Sequence, residues 1–130
     1  MRFIIAAFTS LVAISTALLV DVPGASPLDL EANNIVTLDP TGDARVPETY
    51  YLFLANNNAE IDTNPCIFLG TVQRGSRDFT ILAGSVSEPV QGASGYVVRT
   101  HPIREQDSTC RVGEMLAETA PFIVEDYRYP

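Results

Sequence analysis

Short apolar runs alternate with turn residues through most of the chain, and this pattern predicts β-strands. Prolines at 40, 47, 65, 89, 102 and 121 and glycines at 42, 70, 75, 84, 92, 95 and 113 separate these runs. The runs are rich in β-branched and aromatic residues, as strands are. The predicted strands are residues 34–38, 49–55, 66–72, 78–82, 95–100 and 121–125.

The run TYYLFLA at residues 49–55 is the most apolar of the predicted strands. Successive side chains of a strand point to opposite faces, so Tyr51 and Phe53 lie on one face. Tyr50, Leu52 and Leu54 lie on the other. Apolar side chains on both faces predict a central strand that is covered on both sides.

The connections favour antiparallel pairing. The turn residues Gln73 to Ser76 suit a β-hairpin between strands 66–72 and 78–82. The region around Cys110 is ambiguous, because residues 109–112 could form a strand and residues 114–118 one helical turn. Six or seven short strands without a crossover helix predict an all-β, immunoglobulin or fibronectin III-like antiparallel β-sandwich at residues 33–126, followed by a tail at 127–130.

The first residues have the pattern of a secretory signal peptide. A positive start at Arg2 precedes a run without charge from Phe3 to Val20. Small residues at 15 and 17 predict a signal at residues 1–17, with a cut as late as 24 as the second choice, and an extended leader at 18–32. The alternative is an uncleaved membrane anchor, since about 20 apolar residues can span a bilayer. No second apolar run of this length follows, so we expect no membrane partner after cleavage.

The charge balance narrows the choice of partners. Asp and Glu number 16 against 8 basic residues, for a formal net charge of −8. Nucleic-acid binding needs a basic face, and so does adhesion to anionic lipid. We therefore expect neither partner.

Cys66 and Cys110 are the only two cysteines. An even count in a secreted chain indicates pairing, and only one intramolecular disulfide is available. We expect this disulfide to lock the two sheets of the sandwich together. In the chain-entropy model a loop of this size contributes up to about 4 kcal/mol. Two cysteines with one histidine do not complete a tetrahedral zinc site, so we expect no metal and no cofactor.

The single histidine, His101, does not indicate catalysis. A catalytic triad also needs a nucleophile and an acid, and no Gly-x-Ser-x-Gly motif is present. His101 precedes Pro102 at a strand end, so we expect it at the surface. The sequence predicts no catalytic residue and a protein that is not an enzyme.

Tyrosines are the other candidate functional residues. Tyr96 follows a glycine at a strand start, where its hydroxyl could return to upstream backbone as the tyrosine corner of sandwich domains. Tyr50 or Tyr51, together with Tyr127 and Tyr129, could stack on a sugar ring. The alternative is that the strand pair is core and the tail pair lies outside the domain.

The order of the runs resembles a fungal surface module. YYLFLANNN, FLGTV followed by DFTIL, PVQGASGYVVRT and AETAPFIVED together are similar to the immunoglobulin-like N-terminal domain of the yeast cell-wall synthesis family. That family includes proteins of β-1,6-glucan assembly and many Ser/Thr-rich, GPI-anchored wall proteins. The resemblance covers residues 34–125, and residues 95–99 and 120–124 carry its closest part. It implies an extracellular binding or scaffolding module without catalytic residues.

The chain departs from that family in two respects. It has no tryptophan, and no Ser/Thr-rich stalk or hydrophobic tail precedes Pro130. The first hypothesis is a secreted, extracellular binding module or a structural part of the fungal cell wall, with wall polysaccharide or a secreted or host protein as its partner. The second is a small secreted effector that acts on a host protein, and the third is a small hydrolase.

Overall fold

The computed structural model describes residues 18–22, 27–40, 46–57, 66–106, 110 and 114–128. These residues contain eight β-strands: β1 Leu18–Asp21, β2 Asn34–Pro40, β3 Thr49–Asn56, β4 Cys66–Gln73, β5 Asp78–Ile81, β6 Ala93–His101, β7 Ala117–Glu118 and β8 Phe122–Val124.

The strands form two antiparallel sheets. One has the order β1-β2-β5. The other has the order β4-β3-β6, and both β7 and β8 pair with the far side of β6. The predicted all-β antiparallel sandwich is confirmed, and β3 is a central strand as expected.

Side chains from the two sheets meet in one apolar core, which holds the sandwich together. Its strand residues are Val36, Leu38, Tyr50, Leu52, Leu54, Ile67, Val72, Ile81, Tyr96, Val98, Phe122 and Val124. The connecting segments add Val22, Leu28, Leu30, Val46, Val86, Val90 and Tyr127. Burial at about 25 cal/mol per Å² of apolar surface makes this cluster the main source of stability.

The two faces of β3 divide as the alternation predicts. Tyr50, Leu52 and Leu54 point into the inter-sheet core. Phe53 belongs to a second, smaller cluster on the outer face of the five-stranded sheet, and Tyr51 packs against that cluster. Both faces of strand β3 are covered, which accounts for its apolar side chains on both sides.

A β-bulge in β4 adjusts the pairing with β3. Leu52 lies opposite Gly70, but Phe53 lies opposite Phe68, so Leu69 is the extra residue. Ile67 and Val72 are five positions apart, and strict alternation would place them on opposite faces. The bulge places both in the inter-sheet core.

The predicted hairpin between the fourth and fifth strands is wrong. Strand β4 pairs with β3, whereas β5 pairs with β2 in the other sheet. A turn does form, since the Ser76 amide donates to the Gln73 carbonyl at 3.1 Å and Gly75 has a φ of 97°. This turn carries the chain from one sheet to the other, and the Phe79 ring then packs onto Gly70, where a Cβ would collide with it.

The segment at 18–32 was expected to be an extended leader outside the domain, and this is also wrong. Leu18–Asp21 pairs with β2 over its whole length. Further along, Leu28 and Leu30 are buried, and Leu28 forms a parallel bridge with Val124. These two leucines belong to the inter-sheet core, so the domain includes the described residues of this segment, 18–22 and 27–32.

The predicted helical turn at 114–118 is wrong, and the predicted strand at 109–112 lies outside the described residues except for Cys110. Residues 114–116 have no regular structure, and Ala117–Glu118 is a short strand rather than a helical turn. No helix in the described part of the chain is long and apolar enough to cross a membrane. The predicted signal peptide at 1–17 and the residues around its second cut at 24 lie outside the described residues.

Candidate functional site

The outer face of the five-stranded sheet carries the most distinctive set of side chains. Cross-strand pairing arranges its outward residues in three rows across β4, β3 and β6. The rows are Thr71–Tyr51–His101, Phe68–Phe53–Arg99 and Cys66–Ala55–Val97. This face is aromatic and apolar in its centre, whereas a solvated sheet face is mainly polar.

The connection between β6 and β7 covers part of this face. We call its described residues, 102–106, 110 and 114–116, the return segment. Cys110 of this segment is bonded to Cys66, with the two Cα atoms 5.0 Å apart. The predicted disulfide is confirmed, and Cys110 packs with Phe53, Ala55 and Val97 in the outer cluster.

This position corrects one expectation from the sequence. We expected the disulfide to lock the two sheets to each other, as in antibody domains. The inter-sheet core contains neither cysteine, and both belong to the outer cluster of a single sheet. The bond therefore holds the return segment onto its own sheet.

An open pocket of about 350 Å³ lies beside the disulfide. Its lining consists of Phe53, Cys66, Phe68, Arg104, Glu105 and Gln106. The Phe53 and Phe68 rings meet edge to face with centroids 5.5 Å apart, and the Arg104 guanidinium lies 4.5 Å above the Phe68 ring. A cation above an aromatic face is attracted by the ring quadrupole, which fixes Arg104 over this wall of the pocket.

Large apolar side chains are exposed on β4 and on the return segment. Phe68 is 38% exposed, and Ile103 and Met115 of the return segment are also exposed. Aromatic residues, Met and Arg are enriched at protein interfaces relative to other surface. Phe68, Met115 and Arg104 supply all three types here.

A polar link joins β6, β7 and the end of β3. The Arg99 Nε donates to the Glu118 carboxylate at 2.6 Å, and the Arg99 guanidinium also donates to the Asn57 side-chain oxygen. The side chain of Arg99 is 10% exposed and that of Glu118 29%. Because Arg99 already has two partners, it is a structural cation rather than a ligand-binding one.

His101 is buried, and this corrects its predicted surface position. It is 1% exposed, and its ring meets Phe53 edge to face at 5.4 Å. Its Nδ1 lies 2.9 Å from the Glu114 carbonyl, which can only accept, so the proton is on Nδ1. Nε2 has no hydrogen-bond partner in the described structure, and burial lowers the pKa of His101. A neutral, enclosed ring bonded to backbone positions the return segment.

The tyrosines proposed as ligand contacts have different positions. Tyr50 and Tyr127 are 0% and 2% exposed, so they are core residues, because a ring without an open face cannot stack on a sugar. Tyr51 is half-buried beside Phe68, with ring centroids 6.5 Å apart. Tyr129 lies outside the described residues.

The Tyr96 hydroxyl returns to upstream backbone, where it donates to the Gln91 carbonyl at 2.5 Å. Tyr127 makes a comparable bond, and its hydroxyl donates to the Val86 carbonyl at 2.6 Å. Its backbone also exchanges two hydrogen bonds with Val90, both at 2.9 Å. Residue 127 therefore belongs to the domain rather than to a tail.

Sequence reasoning missed Phe68, Ile103, Arg104 and Met115 as surface candidates. Phe68 was placed in a strand without an assigned face, because the bulge at Leu69 could not be foreseen. The charge and size of Ile103, Arg104 and Met115 gave no signal, since the position of each residue depends on the path of the return segment. In the described residues no group of three or more His, Cys, Asp or Glu side chains could hold a metal ion.

Comparison with other proteins adds no family to this description. No protein-family model, no curated protein and no solved structure matches the chain.

Proposed function

We propose that this protein is a secreted, non-enzymatic binding domain, and that it binds a protein partner through the surface around Phe68 and Arg104. One observation carries the proposal: the exposed Phe68 ring, with the Arg104 guanidinium above it, lies beside an open pocket on the outer face of the five-stranded sheet. Binding energy in protein interfaces concentrates in a few aromatic, arginine and apolar anchors of this kind.

The disulfide and the apolar start of the chain support secretion. Disulfides persist in oxidising compartments, and an uncharged run follows the positive start of this chain. The enclosed position of His101 supports a role without catalysis, because its Nδ1 is bonded to a backbone carbonyl and a substrate could not reach the ring. A general base must come within hydrogen-bond reach of the proton that it removes.

A wall polysaccharide is the second candidate partner. Arg104, Glu105 and Gln106 line the pocket together with Phe53 and Phe68, and such planar polar groups can hydrogen-bond sugar hydroxyls. The resemblance to fungal wall domains favours this ligand. The position of Arg104 opposes it, since the guanidinium covers the Phe68 face that a sugar would stack on. We therefore favour the protein partner.

Matched surface variants test the proposal. Phe68→Ser removes an apolar anchor at the pocket, whereas Leu82→Ser removes another large apolar side chain, 59% exposed, which follows β5 of the other sheet. We expect the wild type and Leu82→Ser to form a cross-link to one defined partner protein. Phe68→Ser and Arg104→Glu should form no such cross-link. Equal capture by all four proteins would refute the proposed surface.

The same variants distinguish the two partners. Co-sedimentation with insoluble β-glucan that is lost in Phe68→Ser and kept in Leu82→Ser would replace the protein partner by the polysaccharide. Turnover of a polysaccharide or peptide substrate that is lost in His101→Gln would overturn the non-enzymatic assignment.

A further inference from the structure

The disulfide lies outside the core that joins the two sheets. All residues of the inter-sheet cluster are aliphatic or aromatic, and neither Cys66 nor Cys110 is among them. Cys66 is the first residue of β4, and Cys110 lies between β6 and β7, so both sulfurs belong to the five-stranded sheet. The sandwich itself is closed by side-chain packing and by backbone hydrogen bonds such as those of Leu28 with Ile123 and Glu125, not by the disulfide.

The two half-cystines differ in their access to solvent. Cys110 is 1% exposed and sits under its own segment. Cys66 is half-buried and lines the open pocket beside Arg104 and Glu105. A thiolate that enters this pocket therefore reaches Cys66 before Cys110.

Other contacts hold the two ends of the return segment, but Cys110 holds its middle. At one end Arg104 lies on Phe68. At the other end the Leu116 amide donates to the Thr100 carbonyl at 2.7 Å, beside the bond between His101 and the Glu114 carbonyl. Cys110 has a φ of 60°, a left-handed conformation that non-glycine residues adopt only when their surroundings impose it.

From these observations we propose that the Cys66–Cys110 bond is a redox-sensitive clasp, whose reduction by a dithiol frees Cys110 from β4 and leaves the β-sandwich folded. The attacking thiolate of the dithiol bonds to the Cys66 sulfur, and the Cys110 thiolate leaves. The second thiol of the reductant then attacks the mixed disulfide, forms its own intramolecular disulfide and releases the Cys66 thiolate. Two electrons pass to the cystine, the dithiol is oxidised, and its two protons are taken up by the released thiolates or by solvent.

Reduction also changes the surface around Phe68. Loss of the clasp uncovers the outer-cluster residues that Cys110 contacts, Phe53, Ala55 and Val97. An effect on partner binding rests on the proposed function, but the clasp does not. Its test therefore uses the protein alone, so that failure of one proposal leaves the other standing.

Hydrogen exchange measured by mass spectrometry tests the clasp. Dithiothreitol is added to the folded, oxidised protein, and exchange is followed in peptides that cover residues 102–116 and in peptides that cover β3. We expect exchange in 102–116 to rise about tenfold or more while β3 stays protected, because local openings are independent of global unfolding. Far-UV circular dichroism should keep its β-sheet signal.

The double variant Cys66→Ala, Cys110→Ala is the second probe, since it imitates the reduced state without free thiols. Loss of protection in β3 together with 102–116, in the reduced wild type, would show that the bond holds the whole fold and would overturn the proposal. Unchanged exchange in 102–116 after complete reduction, checked by the mass increase after alkylation, would also overturn it. If the double variant fails to fold, the reduced wild type alone decides between these outcomes.

Discussion

Tyr127 gives the sharpest test of where the domain ends. The sequence places it in a tail of four residues, whereas the structure buries its ring in the inter-sheet core and bonds its hydroxyl to the Val86 carbonyl. Two substitutions separate these contributions. Tyr127→Phe removes only the hydroxyl, and Tyr127→Ala removes the ring as well.

The expected magnitudes follow from burial and bonding. Replacing a buried aromatic ring by alanine costs about 3–5 kcal/mol, because the apolar transfer energy is lost and a cavity remains. The ring is 2% exposed, so almost all of this applies to Tyr127→Ala. Tyr127→Phe should cost about 1–2 kcal/mol, since the buried Val86 carbonyl loses its partner at 2.6 Å. The two backbone bonds to Val90 remain in both variants.

Urea unfolding followed by far-UV circular dichroism measures these differences, because the chain has no tryptophan for fluorescence. Leu82→Ala is the control, since its side chain is 59% exposed and should change the unfolding free energy by less than about 0.5 kcal/mol. If Tyr127→Ala changes it no more than Leu82→Ala does, the buried position of Tyr127 is wrong.

Three further predictions concern pH, a partly buried ion pair and the first strand. Burial lowers the pKa of His101, so the unfolded chain binds a proton more readily than the folded protein, and stability is lost as the pH falls below the ordinary pKa of 6.5. The urea midpoints at pH 8 and pH 5.5 should therefore differ more in the wild type than in His101→Gln, and an equal difference in both proteins would contradict this. Glu118→Gln leaves Arg99 without its carboxylate, and we expect the free energy of unfolding to fall by about 1–2 kcal/mol, which allows for the partial exposure of Glu118, and by less at high salt. An unchanged urea midpoint would show that the ion pair contributes nothing to stability. A chain that starts at residue 25 lacks β1 and the buried Val22, so it should unfold at a lower urea concentration than a chain that starts at Leu18. Equal urea midpoints would show that residues 18–22 do not stabilise the domain.

The sequence predicted the faces of the central strand well. Tyr50, Leu52 and Leu54 alternate with Tyr51 and Phe53, and period-two alternation follows directly from strand geometry. The disulfide was also predictable, because two cysteines allow one pairing. Both inferences depend on local or counting arguments, which need no knowledge of the packing.

Long-range choices were not predictable. The turn at Gly75 forms as its residues favour, but no local signal says that β5 leaves the sheet of β4 and pairs with β2. Isolated apolar residues such as Leu28 and Leu30 are too widely spaced to indicate a strand. They belong to the core only through tertiary contacts with the sheets. His101 is buried for the same reason, since the return segment crosses over it.

The location of the candidate surface was equally hidden. Phe68 and Arg104 meet only because β4 lies beside β3 and the chain turns back after β6. A composition that is acidic overall gives no hint of an arginine held above an aromatic ring. Such a site depends on tertiary contacts between segments 36 positions apart, which neither spacing nor periodicity encodes.

The confinement of the disulfide to one sheet has a mechanical consequence. Strand β1 lies in one sheet and β8 in the other, so a pull on the two ends of the chain loads the inter-sheet packing directly. No covalent bond resists that separation, but residues between Cys66 and Cys110 stay closed as a loop of 44 positions. At about 3.5 Å per residue, this loop withholds roughly 150 Å from the length that a stretched, oxidised molecule can reach. Reduction would add that length to each unfolding event in a single-molecule pulling record.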